Sequence, residues 1–260
     1  MARIGIFDSG VGGLTVQRAL IEALPGADTI YLGDTARLPY GTKSAATVTQ
    51  YSLRSARVLE ARGIDLLVVA CNTASAVALP ALRAALPMPV IGVVEPGARA
   101  AVKATTGGRI GVIGTAGTIG SGAYTAALRA LRPDALVVAW ACPLFVPLAE
   151  EGWTDPADEV VRGVVRRYLA PLKAERIDTL VLGCTHYPLL RAAIAAELPG
   201  VTLVDSAETV AAEVKALLPA STGRAATHRF LVTDTPEKFL AVAGRFLGRP
   251  VESAEHVDVE

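Results

Sequence analysis

One register occurs twice in this chain and restricts its fold more than any other feature: "IDLLVVACNTAS" at 64–75 and "IDTLVLGCTHYP" at 177–188. Both read Ile-Asp-x-Leu-Val-x-x-Cys and then turn polar. An unbroken aliphatic run that ends in small polar residues suits a strand buried on both faces, with its last residues delivered to the sheet's edge. Comparable runs occur at 3–10, 29–34, 89–96, 109–115, 135–142 and 201–206. Between runs lie Ala/Leu/Arg-rich segments with helical spacing, such as 47–61, 122–131 and 156–172. Alternation of this kind predicts an α/β fold with mostly parallel sheets flanked by helices.

The repeat carries the prediction further. "GIFDSGVGG" (5–13) and "GVIGTAGTI" (111–119) also match loosely, as a strand followed by a small hydroxyl-bearing loop. Two half-chains on one plan imply two similar α/β domains facing each other across a cleft. The expected division is 1–96 plus 206–260 for the first domain and 97–205 for the second. The strand "HRFLVTD" (228–234) and helix "PEKFLAVAGRFLG" (236–248) return to the first.

Composition removes several classes of function. Hydrophobic residues make up 52% of the 260 and charged residues 19%, which fits a packed globular chain and not a disordered one. With a formal net charge of +0 and a pI near 6.8 there is no basic field to hold nucleic acid. The mean hydropathy of +0.42 raises the question of a membrane span. The longest charge-free apolar stretch, 66–82, is broken by Asn72, Thr73, Ser75 and Pro80, so no membrane partner is expected. "MARIGIF" runs directly into a strand without a signal-peptide pattern, and three cysteines in no close pairs argue against a disulfide framework. The expected compartment is the cytoplasm.

Ligands of open α/β sheets bind beyond the carboxyl ends of the strands. Asp8-Ser9-Gly10, Tyr40-Gly41, Cys71-Asn72-Thr73, Thr115 with Thr118, and Cys184-Thr185-His186 all fall at such ends. Any one of them alone would ordinarily be a helix cap or a turn. Together, in both halves, they outline one site. Cys142 differs: in "AWACPLF" it has only apolar neighbours and reads as a packed core thiol.

Cys71 and Cys184 end matching strands, and two facing domains would set one thiol on each side of a small ligand. One thiolate can take a proton from carbon while the opposite thiol gives one back, which inverts a stereocentre. Thiols suit this work because their pKa, ordinarily about 8.5, can be moved by neighbours. Asp8 and His186 are the candidate assistants. N–H groups at helix starts after Ser9, Asn72, Thr115 and Thr185 can hold carboxylates without an arginine. The glycines of "DSGVGGL" would let backbone approach the ligand.

Other chemistries lack their residues. No nucleotide-binding glycine pattern occurs, and no C-x-x-C, H-x-H or H-E-x-x-H spacing calls for a metal. Of five lysines only Lys43 lies near a candidate loop, which leaves a pyridoxal enzyme poorly supplied. A cysteine hydrolase could use Cys184 with His186, but the matched Cys71 would go unexplained. A non-catalytic binding module for a small dicarboxylate is a further alternative.

"FDSGVGGLTV", "GDTARLPYG", "VACNTASA", "GVVEPG", "VIGTAGTI", "CPLFVPLAEEG", "LGCTHYPLL" and "VDSAETVA" occur in that order along nearly the whole chain. As a set they resemble the glutamate racemases, cofactor-independent enzymes that supply D-glutamate for peptidoglycan. The resemblance implies roles for particular positions. Cys71 would act on D-glutamate and Cys184 on L-glutamate, assisted by Asp8, Glu150 and His186. Ser9, Tyr40, Gly41, Asn72, Thr73 and Thr185 would hold the carboxylates and amino group, with Thr115 and Thr118 beside them. It also implies no cofactor, no metal, and a homodimer. Aspartate and hydantoin racemases share the paired-cysteine plan and are the nearest alternatives. The family's last strand commonly ends "TGD" where this chain reads "VTDTPEKF", a departure expected to lie far from the motifs.

Overall fold

The computed structural model describes residues 2–218 and 225–259. Its strands are β1 (Arg3–Asp8), β2 (Asp28–Gly33), β3 (Leu66–Val69), β4 (Val90–Gly92), β5 (Arg109–Gly114), β6 (Leu136–Ala141), β7 (Thr179–Gly183), β8 (Thr202–Asp205), β9 (His228–Val232) and the short β10 (Glu255–His256). Helices α1 (Leu14–Ala23), α2 (Ala45–Glu60), α3 (Asn72–Ala85), α4 (Val94–Ala104), α5 (Ala116–Gly120) and α6 (Ala123–Leu131) occupy the first half. Helices α7 (Phe145–Glu151), α8 (Glu159–Ala174), α9 (Arg191–Glu197), α10 (Ser206–Leu217) and α11 (Pro236–Leu247) follow. Short 3₁₀ turns stand at Tyr40–Thr42 and Tyr187–Leu190.

The strands form two sheets, ordered β10-β9-β2-β1-β3-β4 and β6-β5-β7-β8, and every pairing is parallel. Alternation along each strand explains why both faces need cover. Ile4, Ile6, Leu66 and Val68 point to one side of the first sheet, where Leu20 of α1, Val210 of α10 and Phe246 of α11 meet them. Phe7, Leu67 and Val69 point to the other, against Val48 of α2 and Leu79 of α3. In the second sheet Ile113 and Leu182 face α7, α8 and α9, and Ile110 and Val112 face α4 and α6. Each fully buried aliphatic side chain contributes roughly 1.5–3 kcal/mol. Leu67→Ala, which leaves a cavity as well, would cost about 2–5 kcal/mol.

The repeated Ile-Asp does the same thing twice. Gly5 of β1 leaves room for Ile64, whose Cδ1 would lie 2.6 Å from a Cβ there; Gly111 of β5 does the same for Ile177, also at 2.6 Å. Asp65 accepts from the Arg3 N–H at 2.7 Å, and Asp178 from that of Arg109 at 3.5 Å. The dipeptide therefore sets the same register between neighbouring strands in both sheets, and carries the seventh residue after each isoleucine, a cysteine, to the carboxyl edge. β10 and the tail behind it carry no run the sequence pattern would identify.

Candidate active site

The carboxyl ends of the two sheets enclose a cavity of about 240 Å³, too small for a nucleotide and suited to a small metabolite. Ser9, Tyr40, Gly41, Cys71, Asn72, Thr73, Thr115, Glu150, Cys184, Thr185 and His186 line it. Asp8 and Thr118 stand just behind this lining. Gly10, expected from the sequence, lines it too; sequence reasoning missed Leu38, Pro39, Val146 and Pro147, which also line it. The last two lie inside "CPLFVPLAEEG", where the aliphatic character concealed them.

Cys71 is the N-cap of α3 and is 6% exposed. Its Sγ accepts from the Ala74 N–H and donates to Ser9 Oγ, each at 3.5 Å. The Ser75 N–H is taken by the Cys71 carbonyl, so Asn72 and Thr73 supply the first-turn N–H groups that have no acceptor within the helix. Burial pushes the Cys71 thiol up to about 12, with the Asp8 charge adding to it; the Ala74 N–H and Ser9 hydroxyl oppose the rise only in part. Cys71 thus rests as a thiol.

Asp8 is 1% exposed, and its Oδ2 accepts from the Gly10 N–H at 2.9 Å. Its Oδ1 has no hydrogen-bond partner among the described residues. Burial raises its pKa above the ordinary carboxylate value, against the opposing charge of His186.

Cys184 has different company. His186 Nδ1 lies 3.8 Å from Cys184 Sγ and 3.3 Å from Thr185 Oγ1, and its Nε2 lies 2.9 Å from Glu150 Oε1. Burial alone would depress the imidazolium, but its hydrogen bonds to Cys184 and Glu150 outweigh that and hold His186 at about 10. A charged imidazole beside a thiol is the arrangement that stabilises a thiolate.

Hydroxyl groups join the two sheets at the cleft. Thr73 Oγ1 lies 2.8 Å from Thr115 Oγ1 and 3.1 Å from Thr118 Oγ1, and the latter two are 3.0 Å apart. Tyr124 donates to Asn72 Oδ1 at 2.7 Å and meets Ser206 Oγ at 3.1 Å. Tyr40 donates to the fully buried Asp34 at 2.5 Å.

Three expectations are corrected. The glycines of 10–13 serve protein packing more than ligand approach: a Cβ on Gly12 would lie 2.2 Å from Thr185 Oγ1, and one on Gly13 2.6 Å from Asp8 Cβ. Gly10 alone of these borders the cavity. Next, the chain after Thr185 enters a 3₁₀ turn, where the Tyr187 N–H is bonded to the Cys184 carbonyl and that of Leu189 to His186, so it presents no regular helix start. Finally, the "VTD" segment is not remote. Thr233 donates to Asp34 Oδ1 at 2.8 Å and accepts from the Ala36 N–H at 2.9 Å, which puts it directly behind Tyr40. Cys142 is fully buried among Phe145, Leu169 and Tyr187, as a core thiol should be.

Among the described residues no cluster of His, Cys, Asp and Glu could hold a metal ion, and no helix is long and apolar enough to cross a membrane.

A family model described as Asp/Glu/Hydantoin racemase matches residues 11–214. A glutamate racemase of Geobacter metallireducens is 55% identical across 99% of this chain and 97% of its own. A crystal structure of a glutamate racemase isoform from Bacillus anthracis superimposes with a TM-score of 0.94 at 44% identity, covering 99% of this chain and 98% of that one. The glutamate racemase of Francisella tularensis, solved in complex with D-glutamate, gives 0.92 at 36% identity, covering 100% and 98%.

Proposed function

This chain belongs to the Asp/Glu/hydantoin racemase family, and we propose that it interconverts L- and D-glutamate by two-base proton transfer between Cys71 and Cys184. The observation that carries the reading is the pair of buried thiols at the ends of matching strands, both bordering one small cavity. The close glutamate racemase relatives, one of them solved with D-glutamate, support glutamate over aspartate or a hydantoin.

In the L-to-D direction the Cys184 thiolate, paired with the His186 imidazolium, takes the α-proton. The Cys71 thiol gives its proton to the opposite face of the carbanion. The product is D-glutamate, with Cys184 left as thiol and Cys71 as thiolate; the reverse reaction starts from that state. Asp8 and Ser9 act beside Cys71, and Glu150 orients His186. Because an amino acid's α-proton is far less acidic than a thiol, the carbanion needs stabilisation. A closed cleft with fixed donors around the α-carboxylate provides it: the N–H groups of Asn72 and Thr73 and the hydroxyls of Thr73, Thr115 and Thr185. Thr118 fixes the first two of those hydroxyls. Tyr40-Gly41 closes the opposite wall, and Asp8 Oδ1, lacking a protein partner among the described residues, suits the substrate ammonium.

The same reading extends to the division of the chain into domains of 1–96 with 206–260 and 97–205, though residues 1, 219–224 and 260 lie outside the described residues. It extends also to a cytoplasmic enzyme that supplies D-glutamate for peptidoglycan, and to a homodimer. Leu136 and Trp140 on the edge strand β6, with Leu144 and Trp153 nearby, leave apolar surface that pairing of two copies would cover.

Proton NMR of each glutamate enantiomer with the purified protein in D₂O tests the proposal. Loss of the α-proton signal with appearance of the opposite enantiomer is expected. Exchange of neither enantiomer would reject glutamate, and aspartate would then be tried in the same way.

A further inference from the structure

Helix α11 packs on the first sheet. Phe239, Ala243 and Phe246 join the core beneath Ile4, Ile6 and Val232, and Phe239 stands 6.0 Å from Tyr31 ring to ring. Its last turn nevertheless touches the imidazole–carboxylate pair contributed by the second sheet's side of the cleft. Arg245 Nη1 donates to the main-chain carbonyl of Glu150. Its guanidinium covers Gly152, the left-handed residue (φ 79°) that ends α7, where a Cβ would lie 3.2 Å from Arg245 Cζ. The next residue, Phe246, is fully buried and meets His186 edge to face, with centroids 5.1 Å apart and planes at 75°.

We propose that Arg245 and Phe246 are positioning residues for the acid–base group beside Cys184: Arg245 fixes the end of α7 so that Glu150 faces His186, and Phe246 fixes the plane of the His186 ring between Glu150 and Cys184. The proposal rests on the racemase reading for its consequence, but its geometry stands apart from it. An imidazole whose two nitrogens must meet partners on opposite sides has one useful plane. A ring packed edge to face blocks the rotation that would lose both. Glu150 is itself 41% exposed at its side chain, so little besides its backbone anchor restrains it on the solvent side. Sequence proximity could not have disclosed this, since α11 lies some sixty residues beyond His186 and carries none of the recognised motifs.

The charged and titratable groups around His186 are Cys184 from its own loop, Glu150 from α7, and Asp8 from the end of β1; α11 brings only the Phe246 ring to it, and the Arg245 charge lies at the far end of Glu150. Loosening the pair therefore lets the His186 pKa fall from about 10 towards its ordinary value near 6.5.

Three variants test the assignment: Phe246→Leu, Arg245→Met and Arg245→Lys. The His186 ring is titrated by NMR in each full-length protein, with its signal identified by comparison with His186→Asn. Phe246→Leu and Arg245→Met are expected to lower the His186 pKa by about one unit or more. They should also reduce kcat by about 10- to 100-fold while KM stays within about twofold. Arg245→Lys, which keeps a donor for the Glu150 carbonyl, should recover most of both. An unchanged His186 titration in Phe246→Leu and Arg245→Met overturns the proposal whatever the kinetics. If Phe246→Leu does not fold, the exposed Arg245 decides through the contrast between Met and Lys. The titration reads the positioning directly, so a wild-type protein silent towards glutamate would reject the racemase reading without obscuring this result.

Discussion

The two cysteine loops begin as copies and end as opposites. Each follows a buried strand, each is set by an Ile-Asp pair locked against the neighbouring strand, and each thiol is 6% exposed. Beyond the cysteine they diverge. Cys71 opens a fourteen-residue helix and is surrounded by a serine hydroxyl, a backbone N–H and a buried carboxylate. Cys184 leads into a 3₁₀ turn and faces a histidine held by Glu150. The first setting keeps a proton on sulfur; the second places an imidazolium beside it. A duplicated scaffold supplies two thiols at one cleft, and unlike neighbours surround them, as the proposed reaction with one acid and one base would use.

The largest effect should come from removing one thiol at a time. Cys71→Ala and Cys184→Ala should each reduce racemisation by at least about 10²–10⁴-fold, with circular dichroism unchanged. Proton washout in D₂O should then separate the two sides: D-glutamate still exchanges in Cys184→Ala, and L-glutamate in Cys71→Ala. The same washout pattern in both variants would end the assignment of one thiol to each enantiomer.

Removing the difference between the loops should matter next most. His186→Asn is expected to reduce kcat by about 100-fold, within the usual range for acid–base assistance. In the wild type, protonated His186 contributes to stability in full below about pH 6.5, and that contribution is lost as pH rises through about 10. Denaturant titrations at pH 6, 8 and 10 should show this loss in the wild type and not in His186→Asn. Equal pH dependence of the two proteins would mean that the imidazolium is not held as described.

A smaller effect belongs to the network behind Tyr40. Asp34 accepts from both Tyr40 and Thr233, and Asp34→Asn leaves one buried hydroxyl without its full acceptor. Destabilisation of about 1–3 kcal/mol and a raised KM are expected, read by chemical unfolding and initial rates. Unchanged KM would separate this network from substrate binding. The mildest case is Thr118→Val, which removes one corner of the hydroxyl triangle while Thr73 and Thr115 still meet. It should cost about 1 kcal/mol and raise KM a few-fold, and a loss as large as that of His186→Asn would show that Thr118 does more than orient its neighbours.

Much of this was legible in the residues. Continuous aliphatic runs specified buried parallel strands, because a strand covered on both faces needs apolar side chains at every position. The Ile-Asp-x-Leu-Val-x-x-Cys register marked both thiols, and strand ends located Ser9, Asn72, Thr73, Thr115 and Thr185 at the cleft. What the sequence pattern lacked was any sign of contacts between segments far apart in the chain. That the glycines of 10–13 make room for Thr185 and Asp8 depends on how two sheets meet. That Thr233 braces Asp34 depends on β9 pairing with β2, and that Arg245 and Phe246 reach Glu150 and His186 depends on where the last turn of α11 meets α7 and the Cys184 loop. Periodicity and strand-end chemistry are local properties and can be read along the chain. Which side chain stops another from turning is decided by packing, which exists only once the chain has closed on itself.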